Sequence, residues 1–217
     1  MQIPSNFLEI YQKSYPRIHD CSQAIKDNIK NLLENRGVGR IDQLTGRAKS
    51  IESFLAKAKK KCEDGSYRYK EPLVDIQDQI GVRIITFYLS DVNNLVNIIS
   101  ENYTYIEVLD KHPNRFDAFS YVGKHFILFI PEEIKTWKKD DYMPSFFELQ
   151  IKTMFQHAWA ESEHDLNYKT GKELSMDDKR LIAFSAAQAW GADKVFEQLT
   201  EKYLTKKNSS TAVIGSP

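Results

Sequence analysis

Apolar positions in the N-terminal part of the chain recur on a helical period. Ile18, Cys21, Ile25, Ile29, Leu32 and Leu33 fall on one face between Pro16 and Gly37, so the spacing predicts an amphipathic helix there with Gly37 as its stop. A second helix is expected to begin at Ser50, whose hydroxyl suits the N-cap, and to carry Ile51, Phe54, Leu55 and Ala58 before the Asp64-Gly65 turn. Its other face is mostly lysine. From Ile80 to Leu89 the pattern changes: IGVRIITFYL is rich in β-branched and aromatic residues and reads as a central strand buried on both faces. Ser90 is placed to cap a short helix holding Val92, Leu95, Val96 and Ile99, after which YTYIEVL, FSYVGKHFILFI and SFFELQIKT read as strands.

The helical period returns after Thr153 through MFQHAWAESEHDLNYK, with Gly171 as its stop. A last helix is expected from Ser175, which forms an S-x-x-D capping box with Asp178. Leu181, Ile182, Ala186, Ala189, Val195, Phe196 and Leu199 carry its apolar face to about Leu204. No repeat and no long linker interrupts the chain. The pattern therefore predicts one α+β domain over residues 1–206, a mixed β-sheet flanked by N- and C-terminal helices. The helices fall within 5–63 and 154–206, the sheet core within 67–153, and 207–217 reads as a flexible tail.

Composition restricts what such a domain does. Among 217 residues, 41% are hydrophobic, enough for one substantial core. Thirty basic residues balance thirty acidic ones, so the molecule as a whole is not a cationic surface for nucleic acid and any phosphate-binding surface is local. Cys21 and Cys62 lie far apart without CxxC spacing, which argues against a disulfide scaffold or a cysteine-rich metal site and favours a reducing compartment. No stretch approaches the roughly 20 apolar residues of a membrane span, and the N-terminus lacks a signal-peptide pattern, so a cytoplasmic protein with no membrane partner is expected.

Several segments carry chemistry. GRAKS, Gly46 to Ser50, sits at a helix start and is followed by Lys57, Lys59, Lys60 and Lys61; Arg47, Lys49 and the helix N-terminus suit phosphate oxygens. A lysine run by itself more often marks a solvated face. DQIGVR places Asp78 at a strand entrance and Arg83 inside the strand, fit for a metal-bound phosphate or, equally, for an ion pair that tethers the strand edge. In ELQIKT, alternation puts Glu148, Gln150 and Lys152 on one face. If that strand lies beside the Asp78 strand, two carboxylates reach one site, one to hold a metal and one to orient or deprotonate a hydroxyl. An ordinary half-exposed strand has the same period. In SYVGKH, Tyr121, Gly123 and His125 share a face suited to a base and its phosphates, with Lys124 or Lys111 near it, although tyrosine in strands usually packs. His157, Glu161 and His164 have helical spacing but no HExxH order, so a polar network is the preferred reading over a metal site.

Taken in order, GRAKS, DQIGVR, SYVGKH and ELQIKT with HAW…EHDLNYK resemble the RelA/SpoT synthetase domain, particularly stand-alone small alarmone synthetases and their toxin relatives. The resemblance implies a nucleotidyltransferase-like fold and an ATP-dependent pyrophosphokinase that moves the β,γ-diphosphate of ATP to the ribose 3′-hydroxyl of GDP or GTP, making (p)ppGpp. A toxin-type enzyme modifying the 3′ end of tRNA, and a catalytically silent nucleotide-binding module, are its alternatives. It implies ATP phosphate contacts at Arg47, Lys49, Ser50, Lys57 and Arg83, and Mg²⁺ at Asp78 with Glu148 nearby. Tyr121 would stack on the acceptor base, Gly123, Lys124, His125 and Lys111 would complete the acceptor site, and Glu148 with Gln150 would act near the attacking hydroxyl. A guanine nucleotide is the expected acceptor; an antitoxin protein and a homo-oligomer are left open. Two positions depart from the family: SYVGKH stands where the acceptor loop reads approximately G-Y-R-S-L-H, and Lys152 replaces the arginine of E-x-Q-x-R-T, losing a bidentate fork. With no hydrolase-type His/Asp cluster before the synthetase segment, synthesis without hydrolysis is expected.

Overall fold

A computed structural model of the chain describes residues 6–110, 119–121, 123–169 and 174–204. In chain order the elements are α1 (Phe7–Asn35), β1 (Ile41–Ala48), α2 (Ile51–Ala58), α3 (Pro72–Asp75), a 3₁₀ turn (Gln77–Gln79), β2 (Ile80–Thr86), α4 (Leu89–Asn102), β3 (Tyr105–Asp110), β4 (Lys124–Phe129), a second 3₁₀ turn (Glu132–Ile134), β5 (Phe146–Thr153), α5 (Met154–Lys169) and α6 (Met176–Tyr203). The strands form one mixed sheet in the order β1-β2-β5-β4-β3, giving the α+β class. Lys111, Gly171 and the tail 207–217 lie outside the described residues. None of the described helices is long and apolar enough to cross a membrane.

Contacts gather the chain into two compact units. The first draws on Met1–Ile84, Ile98–Leu109 and His125–Gln150, the second on Ile85–Asn97, Asp110–Lys124 and Ile151–Pro217. In the first unit, Tyr11, Ile18, Cys21, Ile25, Ile29 and Leu33 form the buried stripe of α1, which packs on β1. The helix begins earlier than its sequence period suggests and runs through Pro16, because Tyr11 and Ser14 upstream are also buried. Gly37 follows its end with φ +69°, the left-handed conformation a glycine adopts without strain.

β1 has no counterpart in the sequence reading, which began the GRAKS segment at a helix. Its residues Gly46 to Ala48 instead end a strand, and Ser50 caps α2 by accepting a hydrogen bond from the Ser53 amide. Gly46 permits the close approach of β1 to α1: a Cβ there would lie 2.6 Å from the Ser22 carbonyl oxygen. β2 is buried on both faces only from Ile84 onward; Gly81 and Arg83 alternate toward a partly open face.

In the second unit α5 and α6 pack together, with the Phe155 and Phe196 rings 5.9 Å apart. Ser175 and Asp178 make the reciprocal capping box at the start of α6. Of the apolar face expected on α6, only Ala186 is buried. Leu181 and Val195 are 65% and 55% exposed, and the buried positions are Ala186, Asp193 and Thr200, each seven residues apart. The expected Ser90 cap of α4 is replaced by Glu197 of α6, whose Oε2 accepts from the Ser90 amide at 2.9 Å.

Candidate active site

Lys49, in the first unit's cavity, is anchored through both of its backbone groups. Its carbonyl accepts from the Tyr11 hydroxyl at 2.7 Å and its amide donates to the Gln79 carbonyl at 2.8 Å. Tyr11 is itself fixed by stacking on Phe54 of α2. Gln79 is buried and donates to the carbonyls of Leu73 and Ile76, so the short turn bearing Asp78 is tied down from within. Two rigid backbones thus present Lys49 and Asp78 to each other.

Lys49 Nζ lies 2.8 Å and Lys57 Nζ 2.9 Å from the same oxygen, Asp78 Oδ2. The other, Oδ1, is buried without a hydrogen-bond partner among the described residues. Burial by itself would raise the pKa of this carboxyl, but the two ammonium groups outweigh it and hold the value below the usual carboxylate range. Asp78 is therefore ionised at neutral pH.

β5 lies beside β2, as a shared site for Asp78 and Glu148 requires. Arg47, Lys49, Ser50, Asp78, Arg83, Glu148 and Gln150 all line one cavity of about 400 Å³. Thr45 and Ser53 line it too and were not singled out from the sequence; Thr45 stands two residues before Arg47, where the period of β1 would have placed it had that strand been recognised. Glu148 Oε2 accepts from Gln150 Nε2 at 2.8 Å, and Oε1 lies 2.9 Å from His125 Nδ1. Asp78, with one oxygen uncommitted, and Glu148 in the same cavity form a hard oxygen donor set suited to Mg²⁺ held together with phosphates. No group of three or more metal-ligating side chains occurs among the described residues; His157 and Glu161 stand 3.9 Å apart on α5.

The remaining acceptor-segment residues belong to the second unit. Phe119, Ser120, Tyr121 and Gly123 are described, but strand structure begins only at Lys124. Tyr121 is 6% exposed, and its hydroxyl donates to Asp193 Oδ2 at 2.5 Å. Thr153 Oγ1 donates to the same oxygen at 2.6 Å. Burial raises the Asp193 carboxyl above its ordinary pKa, the two hydroxyls drawing it back only in part. A Cβ on Gly123 would lie 2.4 Å from the Ile151 carbonyl oxygen, so this glycine serves the packing of its segment on β5. Lys152 is likewise buried. Asp193 was not found from the sequence, because an acidic residue on an amphipathic helix ordinarily faces solvent.

Residues 46–173, more than half of the chain, match the family described as a region found in RelA / SpoT proteins. The chain belongs to the RelA/SpoT family. This RelA/SpoT chain is 31% identical over 162 residues to the GTP pyrophosphokinase YwaC of Bacillus subtilis (strain 168), covering 71% of this chain and 70% of that relative. It is 28% identical over 166 residues to the GTP pyrophosphokinase YjbM of the same organism, covering 74% and 71%. In fold it is similar to the small alarmone synthetase 1 from Bacillus subtilis, with a TM-score of 0.68 at 20% identity over 92% of this chain and 97% of that one. Its membership makes it an enzyme of the diphosphokinase type.

Proposed function

We propose that this RelA/SpoT enzyme transfers the β,γ-diphosphate of ATP to the ribose 3′-hydroxyl of GDP or GTP, forming (p)ppGpp. The observation that carries the reading is the convergence of Lys49 and Lys57 on one oxygen of Asp78, which leaves the other uncommitted, together with the cavity that Lys49 and Asp78 share with Glu148. The names of YwaC and YjbM as GTP pyrophosphokinases support the guanine acceptor. The zero net charge supports a free nucleotide over an RNA, whose backbone demands an extended cationic path.

On this reading Arg47, Lys49, Ser50, Lys57 and Arg83 bind the ATP phosphates, the arginines as planar forks and the lysines as point charges. Asp78, with Glu148 beside it, would hold Mg²⁺. The metal, when bound, supplies positive charge against the phosphate oxygens. Glu148 takes the proton as the acceptor's 3′-oxygen forms its bond to the β-phosphorus. The bond from that phosphorus to the α,β-bridging oxygen breaks, and AMP leaves with the bridging oxygen. Tyr121, Gly123 and Lys124 remain the proposed acceptor segment; stacking of a base on Tyr121 requires its ring to become accessible, since it is buried and bonded to Asp193.

Phosphorus NMR of the purified protein with ATP, Mg²⁺ and GDP tests the reaction type. One AMP is expected for each new 3′-diphosphate. ADP as the nucleotide product, or no turnover with GDP and GTP, overturns the reading.

A further inference from the structure

β4 and β5 are neighbours in the sheet, and their pairing sets His125 beside Glu148 with Nδ1 2.9 Å from Oε1. With Glu148 read as the ionised proton acceptor, its carboxylate only accepts hydrogen bonds and Nδ1 donates to it. The second carboxylate oxygen accepts from Gln150 at 2.8 Å. Glu148 is thus gripped at both oxygens by donors from two adjacent strands, which fixes the plane of its carboxylate. The imidazole is 3% exposed, and its Nε2 is buried without a hydrogen-bond partner among the described residues.

We propose that His125 is a positioning residue that orients Glu148 toward the attacking hydroxyl. The inference rests on the reading of Glu148 as the proton acceptor. Rotation of the carboxylate away from the 3′-hydroxyl costs turnover without altering how tightly the acceptor binds. A partner that orients a reacting group is worth about ten- to a hundredfold in activity.

Three variants and one spectrum test this. His125→Leu and His125→Gln place no donor at the Nδ1 position, whereas the amide nitrogen of His125→Asn occupies it. The expected result is a kcat reduced about ten- to a hundredfold in His125→Leu and His125→Gln at nearly unchanged acceptor KM, with His125→Asn recovering most of the loss. A raised acceptor KM at retained kcat assigns His125 to the phosphate and overturns the proposal, as does His125→Asn behaving like His125→Leu. Nitrogen-15 NMR of the parent protein reads the Nδ1 hydrogen independently of activity: hydrogen on Nδ1 agrees, and a bare Nδ1 overturns the proposal. A parent protein that transfers nothing to GDP or GTP overturns the function proposed above, while the Nδ1 hydrogen still decides the role of His125.

Discussion

Lys49 and Asp78 meet at 2.8 Å across two backbones that are each anchored elsewhere, Lys49 by Tyr11 and the Asp78 turn by Gln79. The pair is consequently a fixed feature of the cavity and not a chance contact of flexible side chains. Asp78→Asn keeps the shape and removes the charge that faces both lysines. Transfer is expected to fall by about 10³-fold or more, since metal-held charge stabilisation is worth several kcal/mol and each 1.36 kcal/mol is tenfold. Circular dichroism should show an intact fold. Normal turnover by a folded variant contradicts the assignment.

Glycine substitutions separate packing from ligand access. Gly46→Ala and Gly123→Ala place a Cβ 2.6 Å and 2.4 Å from backbone oxygens, whereas Gly81→Ala meets only Arg47 Cγ at 4.0 Å. Urea unfolding is expected to show each of the first two destabilised by about 1–3 kcal/mol, with a smaller change for the third. Equal stability of all three contradicts the packing roles.

Tyr121 has two separable parts. Tyr121→Phe leaves Asp193 with Thr153 as its remaining hydroxyl donor and should cost about 1–3 kcal/mol of stability. If the ring stacks on the acceptor base, Tyr121→Phe retains acceptor affinity. Tyr121→Ala loses about 1–3 kcal/mol of it, or roughly 5- to 160-fold in acceptor KM. An equal rise in the KM for ATP counts against an acceptor role.

Asp193 gives a pH signature. Its folded pKa is raised by burial above the ordinary value of about 3.9, so folding shifts the group toward its neutral form. Its contribution to stability is complete below pH 4 and is lost as the pH rises through the raised value. Asp193→Asn, which cannot ionise, should therefore gain stability relative to the parent as the pH rises from about 4 through the raised value in denaturant titrations. A difference that is flat or of opposite slope contradicts the buried-acid account.

The sequence made some of this structure legible and hid the rest for physical reasons. DQIGVR and ELQIKT could be read because alternation on a strand is local: Glu148 and Gln150 both face the cavity while Leu149 and Ile151 are buried. β1 escaped because a glycine stands inside it, and Gly46 is explained only by the distant Ser22 carbonyl. Asp193 escaped because burial of a carboxylate depends on hydroxyls 40 and 72 residues away in the chain. The register that sets His125 against Glu148 is likewise a property of paired strands, invisible in either one alone.

The central claim is that this cavity passes a diphosphate to a guanine nucleotide. It is tested most directly by one competition: γ-labelled ATP with GDP, GTP and bulk tRNA together in a single mixture, run in parallel with Glu148→Gln. Label is predicted to enter the guanine nucleotides, with AMP released, and to vanish in the variant. Label confined to tRNA, or guanine-nucleotide labelling undiminished in Glu148→Gln, would contradict it.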